Sequence, residues 1–168
     1  MAMHALHIAG VEALTKCLVV PLATGMSLSL CLLTVRAKLC TSPDARYVIW
    51  PRIDQKSSFK CIMTAGLIPL VVENVVNGDA IETDVEAVAR LLASDEYKGK
   101  VVAVLSTTSC FAPRRPDKID ALARLCNEHS VAHVINNAYG LQCPGISRLI
   151  NRACAVGRGE NGCPNPNL

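Results

Sequence analysis

Charge and aromatic rings are what this sequence has least of. Asp, Glu, Lys and Arg make up 18% of its 168 residues and Phe, Tyr and Trp 4%, while 51% are hydrophobic. So aliphatic a chain is built for burial, as strands covered by helices on both faces are. The formal net charge is +3, too little to mark a nucleic-acid binder by electrostatics alone. The Walker A pattern does not occur, and the one G-x-G-x-x-G match, Gly157 to Gly162, follows no strand and opens no helical pattern, which disfavours a dinucleotide or ATP site. No C-x-x-C pair exists among the nine cysteines, Cys17, Cys31, Cys40, Cys61, Cys110, Cys126, Cys143, Cys154 and Cys163. Zinc needs clustered ligands, so these scattered residues read as reduced, mostly buried thiols, and no metal site is expected. His129 and His133 straddle a helix end and a strand start, so they do not share a helix face. The N-terminus lacks a basic n-region and is not a secretory signal. The longest uncharged run, between Lys16 and Arg36, has the length of a membrane span. Pro21, Thr24, Gly25, Ser27, Ser29 and Thr34 interrupt it, and no span is expected.

What is present is an alternation of short apolar runs and amphipathic stretches in a chain long enough for one core. Helices are expected over residues 3–18, which Pro21 closes off, and from Thr24-Gly25 to Arg36. A loop over 39–45 leads to a strand at Tyr47 to Trp50. A helix follows over 55–65, stopped by Gly66. Leu70 begins a strand that ends before the turn signal Asn77-Gly78-Asp79. Thr83 and Glu86 form a capping box ahead of a helix with Val85, Val88 and Leu92 on one face. Val101 to Leu105 is a strand and Ser106 to Pro116 a polar loop. Asp117 caps a helix whose inner face is Ile119, Leu122 and Cys126. A strand at Val131 to Ile135 and a helix over 146–154 complete the order. This is the α/β pattern of a mostly parallel sheet with helices on both faces. Ligands of such sheets sit beyond the strand C-termini. Three polar segments fall there: Arg52 to Ser57, Ser106 to Arg114 and Asn136 to Gly140. From Gly157 the chain is rich in Gly, Pro and Asn without periodicity, and disorder is expected.

Three short motifs carry candidate chemistry, each with a plain alternative. Ala23-Thr24-Gly25-Met26-Ser27 opens a helix, whose free N–H groups and positive dipole end suit a phosphate; Thr-Gly is also an ordinary way to begin a helix. Asn136-Asn137-Ala138-Tyr139-Gly140 follows a buried strand. Its asparagines are either turn formers or a polar group facing a ring nitrogen, with Ala138 flat against the ring. Ser106-Thr107-Thr108-Ser109 either contacts a ligand or caps its loop.

The stretches VVPLATGMSLSLCLLTVR (19–36), YVIWPRIDQKSSFKCIMTAG (47–66), STTSCFAPRRPD (106–117) and INNAYG (135–140) occur in this order in one family. The chain resembles the O-phosphoseryl-tRNA(Sec) selenium transferases, also known as selenocysteine synthase or soluble liver antigen, over about residues 9–158. The resemblance implies part of the large domain of a pyridoxal-phosphate (PLP) transferase of the aspartate-aminotransferase fold class over residues 1–158, with a divergent tail over 159–168. It implies a cytoplasmic, homo-oligomeric enzyme of selenocysteine biosynthesis, a tetramer in the family, without a membrane association. That enzyme uses pyridoxal 5'-phosphate to convert O-phosphoseryl-tRNA(Sec) to selenocysteinyl-tRNA(Sec), with selenophosphate as selenium donor.

Residue by residue, the resemblance assigns Ala23, Thr24 and Gly25 to the turn that holds the cofactor phosphate and Gln55 and Ala138 to the cofactor ring. Asn136 stands where most of the wider class carries an aspartate against the pyridine nitrogen. The Schiff-base lysine of the family lies beyond the Asn-Asn-Ala-Tyr-Gly segment. Here Lys118 is the last lysine. The family's substrate-phosphate loop and small C-terminal domain find no counterpart. These 168 residues are therefore expected to be inactive alone, as an internal fragment or a truncated form. The alternatives are a non-catalytic partner that pairs with full-length subunits, and an unrelated Rossmann-like binding module.

Overall fold

The apolar runs that are too short for helices lie side by side. The computed structural model describes residues 1–109 and 114–156. In chain order its elements are α1 (Ala2–Ile8), α2 (Thr24–Leu39), β1 (Tyr47–Pro51), α3 (Lys56–Thr64), β2 (Ile68–Val72), β3 (Asn74–Asn77), β4 (Ala80–Thr83), α4 (Val85–Ala93), β5 (Val101–Thr107), α5 (Ile119–Glu128), β6 (Ala132–Asn136) and α6 (Pro144–Val156). Four strands form a sheet in the order β2-β1-β5-β6, and every pair in it is parallel. The expected α/β class and parallel sheet are what the chain adopts.

Successive side chains of a strand face opposite sides, and both sides are apolar here. Val48 and Trp50 of β1 join Leu32 of α2 and Cys61 and Ile62 of α3 in one core. Ile49 joins Val88 and Leu92 of α4 and Leu122 and Cys126 of α5 in the other. Every residue of β5 is buried. Tyr47 pairs with Val101 but Val48 with Ala103, so β5 carries one extra residue at Val102. That bulge lets Val101 and Val104 serve the α4/α5 side while Ala103 and Leu105 serve the α2/α3 side.

Trp50 shows how the layers are fixed. Its ring lies against Phe59 at a centroid distance of 5.3 Å, and its Nε1–H donates to Ser58 Oγ at 3.2 Å. Gly66 ends α3 as expected, with a φ of +67° that L side chains resist. The amides of Gly66 and Leu67 there donate to the carbonyls of Met63 and Ile62.

Several local expectations are corrected. The helix expected over 3–18 stops at Ile8. Val11 instead packs on Ile146 and Ile150 of α6, and Asn151 and Ser147 of α6 donate to the carbonyls of Gly10 and Ala9. The strand expected from Leu70 up to the turn at Asn77 breaks at Glu73. Glu73 pairs with Arg52 at 2.8 Å, and Asn74 Nδ2–H donates to the Arg52 carbonyl. The chain then forms an antiparallel hairpin, β3–β4, around Gly78-Asp79. Thr83 does not cap α4; Asp84 does, accepting from the Ala87 amide at 2.8 Å. Asp117 does not cap α5, since its carboxylate turns back to the β5 terminus.

The thiols are less buried than expected. Cys61 and Cys126 are buried, and burial pushes their pKa values up to about 11 and about 12, but Cys17, Cys31 and Cys143 are exposed. No described helix is long and apolar enough to cross a membrane. The expectation of disorder in the tail falls on residues 157–168, outside the described residues.

One polar pair bridges β5 and β6. Ser106 Oγ and His133 Nε2 share a hydrogen bond of 2.7 Å. Burial lowers the His133 pKa from 6.5 to about 4, so the imidazole is neutral in the folded chain at neutral pH. The unfolded chain therefore takes up this proton first. The resulting stability is complete above about pH 6.5 and is lost as pH falls towards 4. At about 1.4 kcal/mol per pKa unit the loss is on the order of 3 kcal/mol. Denaturant unfolding across this window should show the wild type losing that much more stability than His133→Gln; parallel pH profiles would count against a buried neutral His133.

Candidate functional site

Because the sheet strands are parallel, β1, β5 and β6 all end at one edge, and α3 begins there. Gln55 is the N-cap residue of α3, four residues beyond the end of β1. Asn136 is the last residue of β6 and is 5% exposed. Its Nδ2–H donates to Gln55 Oε1 at 3.4 Å, so two residues 81 apart in sequence, both assigned to the cofactor ring by the resemblance, meet.

The third segment arrives from α2. This helix starts at Thr24, and its N-cap Ala23 has no side-chain acceptor to satisfy the first-turn amides. The first intrahelical bond runs from Ser27 N–H to the Ala23 carbonyl, at 3.0 Å. The amides of Thr24, Gly25 and Met26 thus lie ahead of the helical ladder. A Cβ on Gly25 would stand 3.6 Å from the Ser57 Cβ, so α2 starts directly against the first turn of α3. The Ser29 hydroxyl fastens the two helices, lying 2.9 Å from the Gly25 carbonyl and 3.0 Å from the Cys61 carbonyl. Two helix N-termini, each a positive dipole end, are therefore held side by side beside Gln55.

Behind Asn136 stand the hydroxyls that follow β5. The Thr108 amide donates to the Asn136 carbonyl at 3.1 Å, and the Thr107 hydroxyl shares its proton between the Ser109 carbonyl at 3.0 Å and the Asn136 carbonyl at 3.2 Å. Thr108 Oγ1–H donates to Asn137 Oδ1 at 2.6 Å. Of the Ser106–Ser109 run, the two threonines buttress β6, and Ser106 is spent on His133. Ser109 Oγ is buried with no hydrogen-bond partner among the described residues.

Ala138 follows on an exposed turn, and a 3-10 turn over Gly140–Gln142 carries the chain into α6. Gly140 keeps this turn close-packed: a Cβ would fall 1.8 Å from Asn137 Oδ1 and 2.5 Å from Ile146 Cγ2, so both side chains would have to move.

The arrangement has three parts: an open helix N-terminus that suits an anionic oxygen cluster, a part-buried carboxamide pair, and a threonine-fixed strand end. A family model described as O-phosphoseryl-tRNA(Sec) selenium transferase, SepSecS, matches residues 1–161.

This chain belongs to the O-phosphoseryl-tRNA(Sec) selenium transferase family.

The transferase of Dictyostelium discoideum is 46% identical over 164 residues, covering 94% of this chain and 33% of that protein. The chain thus spans about a third of the length of the curated transferases it matches. The crystal structure of the archaeal transferase superposes with a TM-score of 0.70 at 32% identity, covering 79% of this chain and 30% of the other. The Oryza sativa TDC structure, described as containing PLP and tryptamine, superposes with a TM-score of 0.65 at 15% identity. It covers 77% of this chain and 29% of the other, and shares the fold.

Sequence reading found the transferase segments but missed Thr107, Thr108 and Gly140 as supports of Asn136 and Asn137. A Ser-Thr-Thr-Ser run after a strand was the available signal, yet nothing in it says which hydroxyl faces which neighbour.

Gly140→Ala should destabilise the chain by about 1–3 kcal/mol, the usual cost of overpacking. It should also displace Asn137 from Thr108. Denaturant unfolding and the exchange rate of the Asn137 side-chain amide would read both, and a neutral substitution would show that the turn yields freely.

Proposed function

We propose that this chain forms one wall of a pyridoxal 5'-phosphate site in a cytoplasmic selenium transferase. That enzyme converts O-phosphoseryl-tRNA(Sec) to selenocysteinyl-tRNA(Sec) with selenophosphate as selenium donor. The observation that carries the reading is the meeting of Asn136 and Gln55 at 3.4 Å, next to the uncapped start of α2. The relatives that share these segments are named for this reaction.

The residues present fit the cofactor. The amides of Thr24, Gly25 and Met26, with Ala23 leading in, would hold its phosphate through N–H groups and the helix dipole. Gly25 keeps that approach free of a side chain. Gln55 and Ala138 would lie at the ring, and Asn136 would face the ring nitrogen. Bound pyridoxal phosphate supplies the electron sink for removing an α-proton and a β-phosphate.

What the chain itself contributes is orientation and charge. Asn136 is neutral, so it offers the ring nitrogen a hydrogen bond without the negative charge that would keep that nitrogen protonated. A milder sink suits elimination and replacement. The threonines behind Asn136 hold its backbone, so its carboxamide is presented from a fixed strand end. No lysine follows Lys118 in these residues, so the nucleophilic amine expected beyond the Asn-Asn-Ala-Tyr-Gly segment is not among them.

The 168-residue chain should therefore bind pyridoxal 5'-phosphate at least about tenfold more tightly than unphosphorylated pyridoxal, as charge-assisted bonds to the phosphate require. Equal affinities in a fluorescence titration would sink the phosphate site. It should convert no phosphoseryl-tRNA(Sec) to selenocysteinyl-tRNA(Sec), and turnover by the purified chain would overturn the assignment of the missing amine. Asn136→Asp should move the absorption of the bound cofactor towards the ring-protonated form, and an unchanged spectrum would remove Asn136 from the ring nitrogen.

A second reading, pairing with full-length subunits as a non-catalytic partner, draws on α2. Met26, Leu30 and Leu33 are exposed at 47%, 45% and 42% along one side of this helix. A helix apolar on all sides is ordinarily a buried one. Co-purification with a full-length transferase, lost on Leu30→Lys with Leu33→Lys, would support it.

A further inference from the structure

The loop that follows β5 leaves the sheet at Thr107 and returns through Arg114 to Asp117, which closes it against the strand it left. Asp117 is buried, and its side chain and backbone both clamp Thr107. The Asp117 amide donates to the Thr107 carbonyl at 3.0 Å, and the Thr107 amide donates to Asp117 Oδ2 at 2.6 Å. The other carboxylate oxygen, Oδ1, accepts from Thr83 Oγ1 at 2.5 Å and from Arg114 Nη2 at 2.8 Å. Arg114 Nη2 also donates to Asn74 Oδ1 at 2.9 Å.

The two charged side chains are 3% and 0% exposed. Arg114 Nε and Nη1 are buried without a hydrogen-bond partner among the described residues. A guanidinium held out of water is costly unless its charge is paired. Packing economy alone would have placed an apolar side chain there. The arrangement instead uses one nitrogen to tie both strands of the hairpin, through Asn74 and Thr83, to the carboxylate that grips β5.

From that grip the chain of contacts leads to the site. Thr107, held at both its amide and its carbonyl, is paired with Asn136 across the sheet; its hydroxyl proton is shared between the Ser109 carbonyl at 3.0 Å and the Asn136 carbonyl at 3.2 Å, and the latter also accepts from the Thr108 amide. Asn136 in turn donates to Gln55.

We infer that Asp117, with Arg114 and Thr83, is a positioning residue: it acts through Thr107 to set where Asn136 stands in the cofactor site. This rests on the cofactor reading above, and none of the three residues is assigned contact with the cofactor.

The test compares Asp117→Asn and Thr83→Val with Leu92→Ala, a core truncation remote from this network, all in the 168-residue chain. Asp117→Asn replaces one carboxylate oxygen by an N–H₂ donor, so it cannot serve both the Thr107 amide and the Arg114–Thr83 pair. Thr83→Val removes one hydroxyl and little else, and keeps the inference testable if Asp117→Asn fails to fold. The readouts are the melting temperature, the NMR resonances of the Thr107 amide and the Asn136 carboxamide without ligand, and the affinity for pyridoxal 5'-phosphate. Asp117→Asn should shift both resonances and weaken binding about tenfold or more, the scale of one lost charge-assisted hydrogen bond. Thr83→Val should shift them in the same direction by less. Leu92→Ala should lower the melting temperature and leave the Asn136 resonances and the affinity in place.

If Asp117→Asn matches Leu92→Ala, changing only the melting temperature, the positioning role is wrong. If the wild type binds no pyridoxal 5'-phosphate, the cofactor reading fails. The Asn136 resonances in the variants then still decide whether Asp117 governs that residue.

Discussion

Burial of β5 between two helical layers is the constraint on which the rest depends. A central parallel strand must satisfy its backbone on both edges and fill apolar space on both faces, and Val101–Thr107 does so without an exposed residue. The bulge at Val102 is the local cost of serving two cores with one run of small aliphatic residues. Once β5 is fixed, β1 and β6 run parallel to it and terminate at the same edge. Gln55 and Asn136 can then meet although they belong to different strand–loop units.

Electrostatics in this fold is concentrated rather than abundant. Exposed pairs such as Arg52–Glu73 and Arg46–Asp44 lie in water and contribute little. Arg114–Asp117 is different, being shut away from solvent at the junction of the hairpin, the loop and β5. The Ser106–His133 pair ties the same two strands from the other side of Thr107. Scarce polar groups are thus spent where the sheet edge has to be rigid.

Helix α2 is apolar on its exposed side as well as on its buried one. One side of the helix packs Leu32 into the core, while Met26, Leu30 and Leu33 face outward. The transferases that match it are about three times as long. The helix N-terminus that would hold a phosphate and the exposed apolar stripe belong to one element.

Much of this was legible beforehand because it follows from local pattern. Continuous aliphatic runs marked the parallel strands, Gly66 marked the end of α3, and the Thr24-Gly25 start and Asn136 strand end fell where the sequence placed them. The failures were all at positions where a distant partner outbid a local one. Thr83 and Asp117 are good helix caps by residue type, yet they turned to each other, and Asp117 to Thr107, because a buried network offered stronger bonds than a solvent-exposed helix end. Residues 3–18 have helical periodicity, but α6 captured the backbone beyond Ile8. The run from Leu70 reads as one strand because nothing local says that Arg52 will draw Glu73 and Asn74 aside. The sequence by itself determined the elements and the family segments, since these depend on side-chain spacing within a few residues. Only the tertiary structure decided which hydroxyl, carboxylate and carboxamide face one another, since a hydrogen bond between residues 81 apart exists only once the sheet has brought their strand ends together.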